Sequence, residues 1–372
     1  MMDLSDHASR PRLTLSDYAV QTTGVLVAAY RELNARKLFW VALALNAVVI
    51  AAMAAVGVDE KGVSLLGFEL TIPMVNTTTF PDGQVYKIIF ATLGVGLWLS
   101  WISTILALLS TASIFPDLAS GGVDTMLSKP IGRGRLFLTK FVGGLLFTAL
   151  QVTTFAVLGF LVIGLRGGAW EWGIFVVVPL MVVFYSYLFS VQALVGMVTK
   201  SPVASVIVTL LFWLLVFLVH TGEQFTLVGR TASRLEIEGI EARIAKVEDA
   251  ERKSTFVARL EEQRAADPNW QLAHNIFYGV KTALPKTTET VALLGRAISL
   301  STDIEVEDEE EQATGRERRG LFRSQFVSER RLEAEMTKAL ESRSLTWVVG
   351  TSVAFELVVL GIGIWYFRRK DF

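Results

Sequence analysis

The stretch VASVIVTLLFWLLVFLVH, residues 203–220, runs for 18 residues without an Asp, Glu, Lys or Arg. A helix needs about 20 predominantly apolar residues to cross a hydrocarbon core about 30 Å thick, so this stretch has the composition and nearly the length of a transmembrane span. Five more apolar runs of that kind lie at approximately 38–56, 88–115, 141–165, 173–198 and 345–367. The sequence therefore predicts an all-α integral membrane protein with six transmembrane helices.

The composition also favours a membrane protein. Of the 372 residues, 52% are hydrophobic and only 19% are charged, whereas soluble chains have about 25% charged residues. Buried helices of a large soluble protein are the alternative, but six runs with so few internal charges would leave no soluble surface. The net charge of -1 indicates no nucleic-acid partner, and the absence of Cys excludes disulfides, thiolate metal sites and cysteine nucleophiles.

Lys and Arg in the short connections predict the orientation, because cytoplasmic loops carry an excess of both. With the N-terminus in the cytoplasm, the inner segments 1–37, 116–140, 199–202 and 368–372 hold 13 Lys and Arg residues, and the short outer loops hold three. Four cations shortly before the last span, on the outer side, run against this pattern. We expect a multi-pass protein of the cell (inner or plasma) membrane with both termini cytoplasmic.

This topology divides the chain into four regions. Residues 1–37 form a cytoplasmic N-terminus, in which 15–37 has the apolar and basic residues of a helix lying along the membrane surface. An ordinary lead-in to the first span is the alternative. Residues 38–220 hold five spans, residues 221–344 form a large helical extracytoplasmic insertion, and residues 345–372 form the sixth span and a cytoplasmic tail.

The insertion 221–344 is the soluble-looking part of the chain. Residues 233–265 and 316–344 are charge-dense, with apolar residues at three- and four-residue steps, which predicts two helices that pair as an antiparallel hairpin. The apolar segment between them, broken at Pro285, predicts two short helices that dip into the outer membrane interface. The acidic run DIEVEDEEE, 303–311, predicts a solvated linker, with a cation site as the alternative.

Few polar side chains lie inside the predicted spans. Glu356 is at the midpoint of the last run, where a carboxylate is costly. In a functional interpretation, Glu356 lines a polar path or binds a substrate cation. In a structural interpretation, it is a neutral carboxyl that holds the bundle together by a hydrogen bond to a partner such as Gln151 or Gln192. The residues favour the second interpretation. The intramembrane polar candidates are Asn46, Gln151, Gln192 and Glu356.

The chain has no recognisable motif for covalent chemistry or nucleotide binding. No Lys directly follows a Gly, so there is no GxxxxGK[ST] phosphate loop. The stretch GTSVA, 350–354, comes nearest to a serine-hydrolase motif, but small residues in a span indicate close helix packing. The histidines His7, His220 and His274 form no ligand-spaced pair, so we expect no metal site.

The segment 116–140 is the largest predicted cytoplasmic connection between spans. Pro116 is expected to end or kink the second span, and 117–128 can form a short helix with one apolar edge. Cations at its exit can hold it against anionic headgroups, which suits a helix that passes motion from a soluble partner to two spans. A basic turn alone is the alternative. The candidate residues are Asp117, Gly122, Val123, Asp124, Met126, Leu127, Ser128, Lys129, Pro130 and Arg133.

Together these features form a known pattern. The loop GGVDTMLSKPIGRGRLFLTK, 121–140, combined with six spans, an interfacial helix and the terminus FRRKDF, 367–372, resembles the permease subunits of type-2 ABC exporters. The segment ALPKTTETVALLGRA, 283–297, looks like that family's outer re-entrant helices. The resemblance covers roughly 15–220 and 270–372. Two departures are DLASGG, where relatives often carry an acidic residue just before the Gly of the loop, and the larger outer insertion.

The resemblance implies a transport role without covalent chemistry in this chain. Two permease subunits would pair, most simply as a homodimer, and two separate ATP-binding cassette ATPase subunits would dock beneath, each holding loop 116–140 in a groove. ATP would be bound by the ATPase, so no cofactor is expected in this chain. The substrate would pass at the permease interface. A non-transporting membrane scaffold or sensor, whose outer hairpin binds a partner, remains a second hypothesis.

Overall fold

The computed structural model describes residues 37–59, 62–65, 68–70, 83–120, 132–294 and 329–369, together with residues 23, 24, 27, 31 and 34. Three predicted features therefore fall wholly or mostly outside the described residues. They are the interfacial helix within 15–37, the part of the loop from 121 to 131, and the acidic run 303–311. Eight of the ten loop candidates, Gly122 to Pro130, belong to this group.

Helices make up nearly all of the described chain. In chain order they are α1 (Lys37–Ala55), α2 (Gln84–Ile89), α3 (Thr104–Thr111), α4 (Ile114–Ala119), α5 (Arg133–Gly167), α6 (Val177–Thr199), α7 (Pro202–Ile244), α8 (Ala250–Ala283), α9 (Thr287–Ala292), α10 (Glu329–Glu341) and α11 (Thr351–Arg369). A π-helical segment, Phe90–Ser103, joins α2 to α3, and a second, Thr346–Gly350, leads into α11. A 3₁₀ turn, Trp172–Val176, leads into α6.

Six helical segments of the described residues are long and apolar enough to cross a membrane. They are Lys37–Ala55, Gln84–Ala119, Arg133–Gly167, Trp172–Thr199, Pro202–Ile244 and Thr346–Arg369. The prediction of six membrane-spanning helices is confirmed. Each predicted apolar run lies within or nearly within one of these segments, because uninterrupted apolar composition is a local property that the chain displays directly.

The second span is interrupted one helical turn before Pro116. A two-residue turn at Ala112 and Ser113 interrupts the helix, and Pro116 lies in the first turn of α4. Pro116 does not end the span, which continues to Ala119. The interruption begins at Ala112, four residues before Pro116, where a proline removes a helical hydrogen bond and its ring clashes with the carbonyl, so the position agrees with the expected kink. The ring of Pro116 also packs close to Gly196 of α6.

Residues 56–70 form a small sheet that the sequence analysis did not predict. Strands β1 (Val56–Asp59), β2 (Gly62–Leu65) and β3 (Phe68–Leu70) pair antiparallel in the order β1-β2-β3. The sheet follows α1 directly. Its first strand is fastened to the bundle, because the Tyr86 hydroxyl donates a hydrogen bond to the Val56 carbonyl at 2.9 Å and Arg166 approaches the same oxygen at 3.3 Å.

Helix α6 lies at the centre of the bundle. It packs against α4, α5, α7 and α11, and its side chains Tyr185, Tyr187 and Phe189 are fully buried. Phe189 stacks on Phe141 of α5, with ring centroids 5.1 Å apart. Gly144 permits that approach, because a Cβ at this position would overlap the Phe189 ring. Stacked aromatic rings and small residues thus bring α5 and α6 close together.

Helix α7 is too long to be only a transmembrane span. Its 43 residues correspond to about 65 Å at 1.5 Å per residue, about twice the thickness of the hydrocarbon core. The helix continues without a break through residue 220, where the apolar run ends. About 20 residues from Pro202 suffice to cross the hydrocarbon core, so the rest of α7, which packs along the antiparallel α8, is long enough to extend beyond it. We call this end of the bundle the hairpin end.

The architecture of the insertion differs from the predicted one. Residues 233–265 do not form one helix, because the chain turns at 245–249 between α7 and α8. The main hairpin is α7 with α8, and α10 packs on α7 as a third helix. The apolar segment before Pro285 is not a short helix either, since it continues the 34-residue α8. Apolar periodicity identified the helices, but it does not show which pairs are neighbours.

Candidate functional site

Four charged side chains meet in the protein interior where α7 leaves the membrane-spanning bundle. Glu223 comes from α7, Lys281 from the end of α8, Glu289 from α9, and Arg343 from the short connection between α10 and the last span. Their side chains are 0%, 4%, 11% and 10% exposed, respectively. We call these four residues the ion cluster. It joins the hairpin, α9 and the last span at one point.

Each carboxylate of the ion cluster contacts both cations. Lys281 Nζ lies 2.7 Å from Glu223 Oε2 and also contacts Glu289 Oε1. Arg343 uses the two arms of its guanidinium, Nη2 for Glu223 and Nη1 for Glu289, the latter at 2.9 Å. Burying an unpaired charge is very costly. Four charges can be buried here because two carboxylates neutralise two cations. Removing any one of them leaves an uncompensated charge.

His220, one turn before Glu223 on α7, borders the ion cluster. Its Nδ1 lies 3.4 Å from Glu289 Oε1, and this nitrogen makes no hydrogen bond. Burial alone would raise the pKa of Glu289, but the close approach of His220 and the charge of Lys281 outweigh it and lower that pKa to about 2. Glu289 is therefore ionised over the whole physiological range.

Lys286 connects α9 to the last span. Its backbone N–H donates to Ser352 Oγ at 2.8 Å, and its Nζ donates to the carbonyls of Thr282 and Leu284 at 2.7 and 2.9 Å. These carbonyls end α8, where a cation is favourable. The ammonium also lies 4.9 Å from the centre of the Trp347 ring. Burial lowers the pKa of Lys286 to about 8.

His220, Glu223 and Glu289 have the donor atoms of a metal site. Among the described residues, one ligand atom of each lies within 4.8 Å of the others. No metal site was expected from the sequence, because its three histidines form no ligand-spaced pair. The same carboxylates, however, already contact Lys281 and Arg343. A divalent cation would have to displace or face two fixed positive charges, so the donor set fits the ion pairs better than a metal.

Two of the predicted intramembrane polar residues tie spans together by neutral hydrogen bonds. Asn46 on α1 accepts from Trp98 Nε1 at 2.6 Å and donates to the backbone carbonyl of Gln151 at 3.3 Å. Gln192 on α6 donates to the Leu108 carbonyl at 2.7 Å. These bonds link the first span to the second and third, and the second to the fourth.

Glu356 and Gln151 have other partners than the sequence suggested. Glu356 accepts a hydrogen bond from Ser186 Oγ on α6 at 2.9 Å. The expected pairing with Gln151 or Gln192 is wrong, because neither side chain bonds to it. The fully buried Gln151 side chain makes no hydrogen bond among the described residues. A neutral Glu356 carboxyl bonded to Ser186 is consistent with a structural role.

Two candidates of the segment 116–140 are described at the opposite end of the bundle, which we call the loop end. Asp117 is exposed on α4, whose apolar side is anchored by Phe115 against Phe137 at 4.8 Å between centroids. Arg133 begins α5 and is half-buried. Phe137 also contacts Phe367 of the last span. The helices that flank residues 121–131 are therefore packed into the bundle and continuous with two spans.

Sequence reasoning did not find the ion cluster. Its members are separated by up to 120 positions, and each one alone resembles an ordinary surface charge. One signal was available: Glu223 and Arg343 border the apolar ends of two spans, where charges near the hydrocarbon tend to be paired or functional. The loop-end residues, in contrast, were predicted from a contiguous motif, and their role stays a prediction.

A comparison with known protein families matches nearly the whole chain. A family model for ABC-2 family transporter proteins matches residues 35–372, which include all six spans and the hairpin. The chain belongs to this family. It is therefore a multi-pass transporter membrane protein of the ABC permease type, and that membership implies association with an ABC ATPase. No curated protein and no solved structure matches the chain.

Proposed function

We propose that this ABC-2 family member is the permease subunit of an ATP-driven exporter. The observation that carries this proposal is the family match from residue 35 to residue 372, which covers every membrane-spanning segment. The chain contains no phosphate-binding loop of its own, so ATP is bound and hydrolysed by a separate ATPase subunit. The permease needs no cofactor and moves its substrate by changing the packing of its helices.

The loop end is the proposed face for the ATPase. Residues 121–131 connect α4 to α5, and both helices pack against α6 or the last span. A push on this connection would therefore reach the second and third spans directly. In this proposal Met126 and Leu127 would supply the apolar contact with the ATPase, and Arg133 would approach lipid headgroups. Two permease subunits, as a homodimer, would form the substrate path between them.

The proposal requires the loop end to be cytoplasmic, with both termini inside and the hairpin outside. This orientation rests on the distribution of Lys and Arg among the short connections. Because the chain has no Cys, single cysteines can report it. Ser254→Cys on α8 should react with an impermeant thiol reagent added to intact cells, and Ser128→Cys should not. The reverse labelling pattern contradicts the orientation and the exporter proposal.

Coupling is tested by the double variant Met126→Asp with Leu127→Asp. Membrane level should remain unchanged, while the co-purifying ATPase is reduced and its hydrolysis rate no longer responds to the permease. Val257→Asp, at an exposed position of α8, is the matched control and should leave both measurements unchanged. If the double variant retains its ATPase and transports normally, the loop is a turn and not a coupling element.

The scaffold hypothesis gives a different result in the same purification. A non-transporting scaffold or sensor would be isolated from mild detergent without any ATPase, but with a protein bound to the hairpin. Co-purification of an ATP-binding cassette subunit with the unmodified chain supports the permease proposal.

A further inference from the structure

A ladder of ion pairs joins α7 to the antiparallel α10. Arg331 of α10 lies 3.4 Å from Glu238 of α7, and Arg234 of α7 lies 2.7 Å from Glu335 of α10. Each step toward the membrane moves four residues back along α7 and four residues forward along α10. The register of the ladder thus places residue 230 opposite residue 339 at the next step.

The ladder lacks its acidic partner at that next step. Arg230 of α7 faces Ala339, and the neighbouring Lys338 adds a second cation. No described carboxylate lies within ion-pair distance of Arg230 or Lys338. Arg230 and Arg234 are also like charges four residues apart on one helix face, which is unfavourable for the helix itself. Among the described residues, this step therefore carries two cations, Arg230 and Lys338, that have no carboxylate of their own.

The missing partner leaves a space between the two helices. A cavity of about 370 Å³ lies there, and its walls include Arg230, Thr231, Arg234, Glu335, Lys338 and Ala339. The Glu335 carboxylate is already paired with Arg234 at 2.7 Å. The volume is many times that of a water molecule. The buried Thr231 provides a hydroxyl that makes no hydrogen bond to the described residues. With Glu335 engaged by Arg234, the cavity offers two cations and one hydroxyl that have no hydrogen-bond or ion-pair partner among the described residues.

The distance of this cavity from Pro202 along α7 is close to the thickness of a bilayer. Arg230 follows Pro202 by 28 residues, about 42 Å along the helix axis at 1.5 Å per residue. A bilayer is about 40–45 Å thick including its headgroups. Side chains on a helix tilt toward its N-terminus, so Arg230 leans back toward the bilayer.

We propose that this cavity, between α7 and α10, binds a phosphate group that replaces the missing carboxylate of the ladder. The Arg230 guanidinium donates two parallel hydrogen bonds to phosphate oxygens, a geometry for which arginine is suited. Lys338 supplies the second charge, and the Thr231 hydroxyl donates to a third oxygen. The same chemistry is provided by an anionic phospholipid headgroup and by a soluble phosphate, and the experiment separates them.

The test uses the purified full chain in a neutral detergent with two probes. Inorganic phosphate is titrated at constant ionic strength against chloride, and binding is followed as the increase in Tm. Phosphatidylglycerol is titrated against phosphatidylcholine, and bound lipid is counted by native mass spectrometry. A response to phosphate identifies a soluble source, and a response to phosphatidylglycerol alone identifies the headgroup.

Two variants and one control give the result its specificity. Arg230→Gln removes the guanidinium, and Ala339→Glu supplies the carboxylate that the ladder lacks. Each variant should weaken binding of the responsive probe about tenfold or more, because a charge-assisted hydrogen bond is lost. Ala339→Glu should also raise Tm without any probe. Arg264→Gln removes an equal charge from an exposed pair on α8 and should bind normally. The proposal is overturned if the unmodified chain responds to neither probe or if all variants bind equally well. It is also overturned if Arg264→Gln weakens binding as much as Arg230→Gln does.

Discussion

Two ion pairs of the hairpin have the same geometry but different surroundings. Lys281 and Glu223, at the base, have their nitrogen and oxygen 2.7 Å apart, and so do Arg264 and Glu241 nearer the tip. The base pair has side chains 4% and 0% exposed, whereas the tip pair has side chains 60% and 45% exposed. The N–O distance therefore says little about energy. Burial decides it, because water screens the tip pair and does not reach the base pair.

The largest expected effect is at the base of the hairpin. Glu223→Gln leaves Lys281 and Arg343 with only one carboxylate between them, and breaking a buried pair costs about 3–5 kcal/mol of the free energy of unfolding. Glu241→Gln at the tip should cost about 0–1 kcal/mol. Denaturant titration of the purified chain in mild detergent measures both. Similar losses for the two variants would show that burial does not distinguish the pairs.

A double variant sharpens the same comparison. Adding Lys281→Met to Glu223→Gln restores a balance of one cation and one carboxylate in the ion cluster. The double variant should therefore lose less stability than the sum of the two single variants, since residues of one network couple. Arg264→Gln combined with Glu241→Gln should be additive within error. An additive result at the base would mean that the ion cluster does not act as a unit.

The interior of the bundle extends the comparison to a third environment. Glu356→Gln keeps the size of the side chain and its hydrogen bond with Ser186, so assembly and ATPase stimulation should remain nearly intact. Glu356→Lys introduces a positive charge near the middle of a span and should cost about 2.5–3.5 kcal/mol, measured as reduced membrane level. If Gln abolishes transport while the complex still assembles, Glu356 is functional and not only structural.

Overpacking at the hairpin base should lower the free energy of unfolding by a smaller amount, about 1–3 kcal/mol. A Cβ at Gly229 would overlap the Trp270 ring of α8, so Gly229→Ala should destabilise the hairpin by overpacking. Gly279 of α8 has no atom within 4 Å of an added Cβ. Gly279→Ala should therefore stabilise the chain slightly, by up to about 1 kcal/mol, through better helix propensity. Tm values of the two variants should move in opposite directions, and a shift in the same direction contradicts the packing argument.

The smallest expected effect is a loss of free energy of unfolding in acid, on the order of 1 kcal/mol when the pH has fallen to 4. The pKa of Glu289 is lowered from 4.5 to about 2 in the folded chain. The unfolded chain therefore binds the proton more readily, and the stability that Glu289 contributes is complete above about pH 4.5 and is lost as pH falls toward 2. Unfolding curves between pH 6 and 3 should show this loss. Lys281, Arg343 and His220 face the carboxylate, and burial raises its pKa less than His220 and Lys281 together lower it.

Two variants separate this loss from general acid sensitivity. Glu289→Gln cannot titrate at this position, so its stability should fall less steeply with acid than that of the unmodified chain. Glu241→Gln, at the exposed tip pair, should keep the full pH dependence. Identical acid profiles for Glu289→Gln and the unmodified chain would exclude Glu289 as the source.

The amino-acid sequence alone determined the six spans, because apolar composition over about 20 consecutive residues is local and unambiguous. It also indicated the family through the contiguous loop GGVDTMLSKPIGRGRLFLTK and the terminus FRRKDF. The sequence indicated less about the insertion. Periodicity predicted helices within 233–265, yet the turn at 245–249 and the partner of each helix depend on contacts between distant segments.

Only the tertiary structure decided which charges share a site. Glu223, Glu289 and Arg343 lie on three segments. The apolar runs beside Glu223 and Arg343 indicate that these charges need partners, but they do not show which ones. The same holds for Glu356, which meets Ser186 and neither of the glutamines that the sequence offered. Apolar burial is a property of a stretch of chain and can be read along it. Charge pairing is a property of two points in space, so it appears only when the chain has folded.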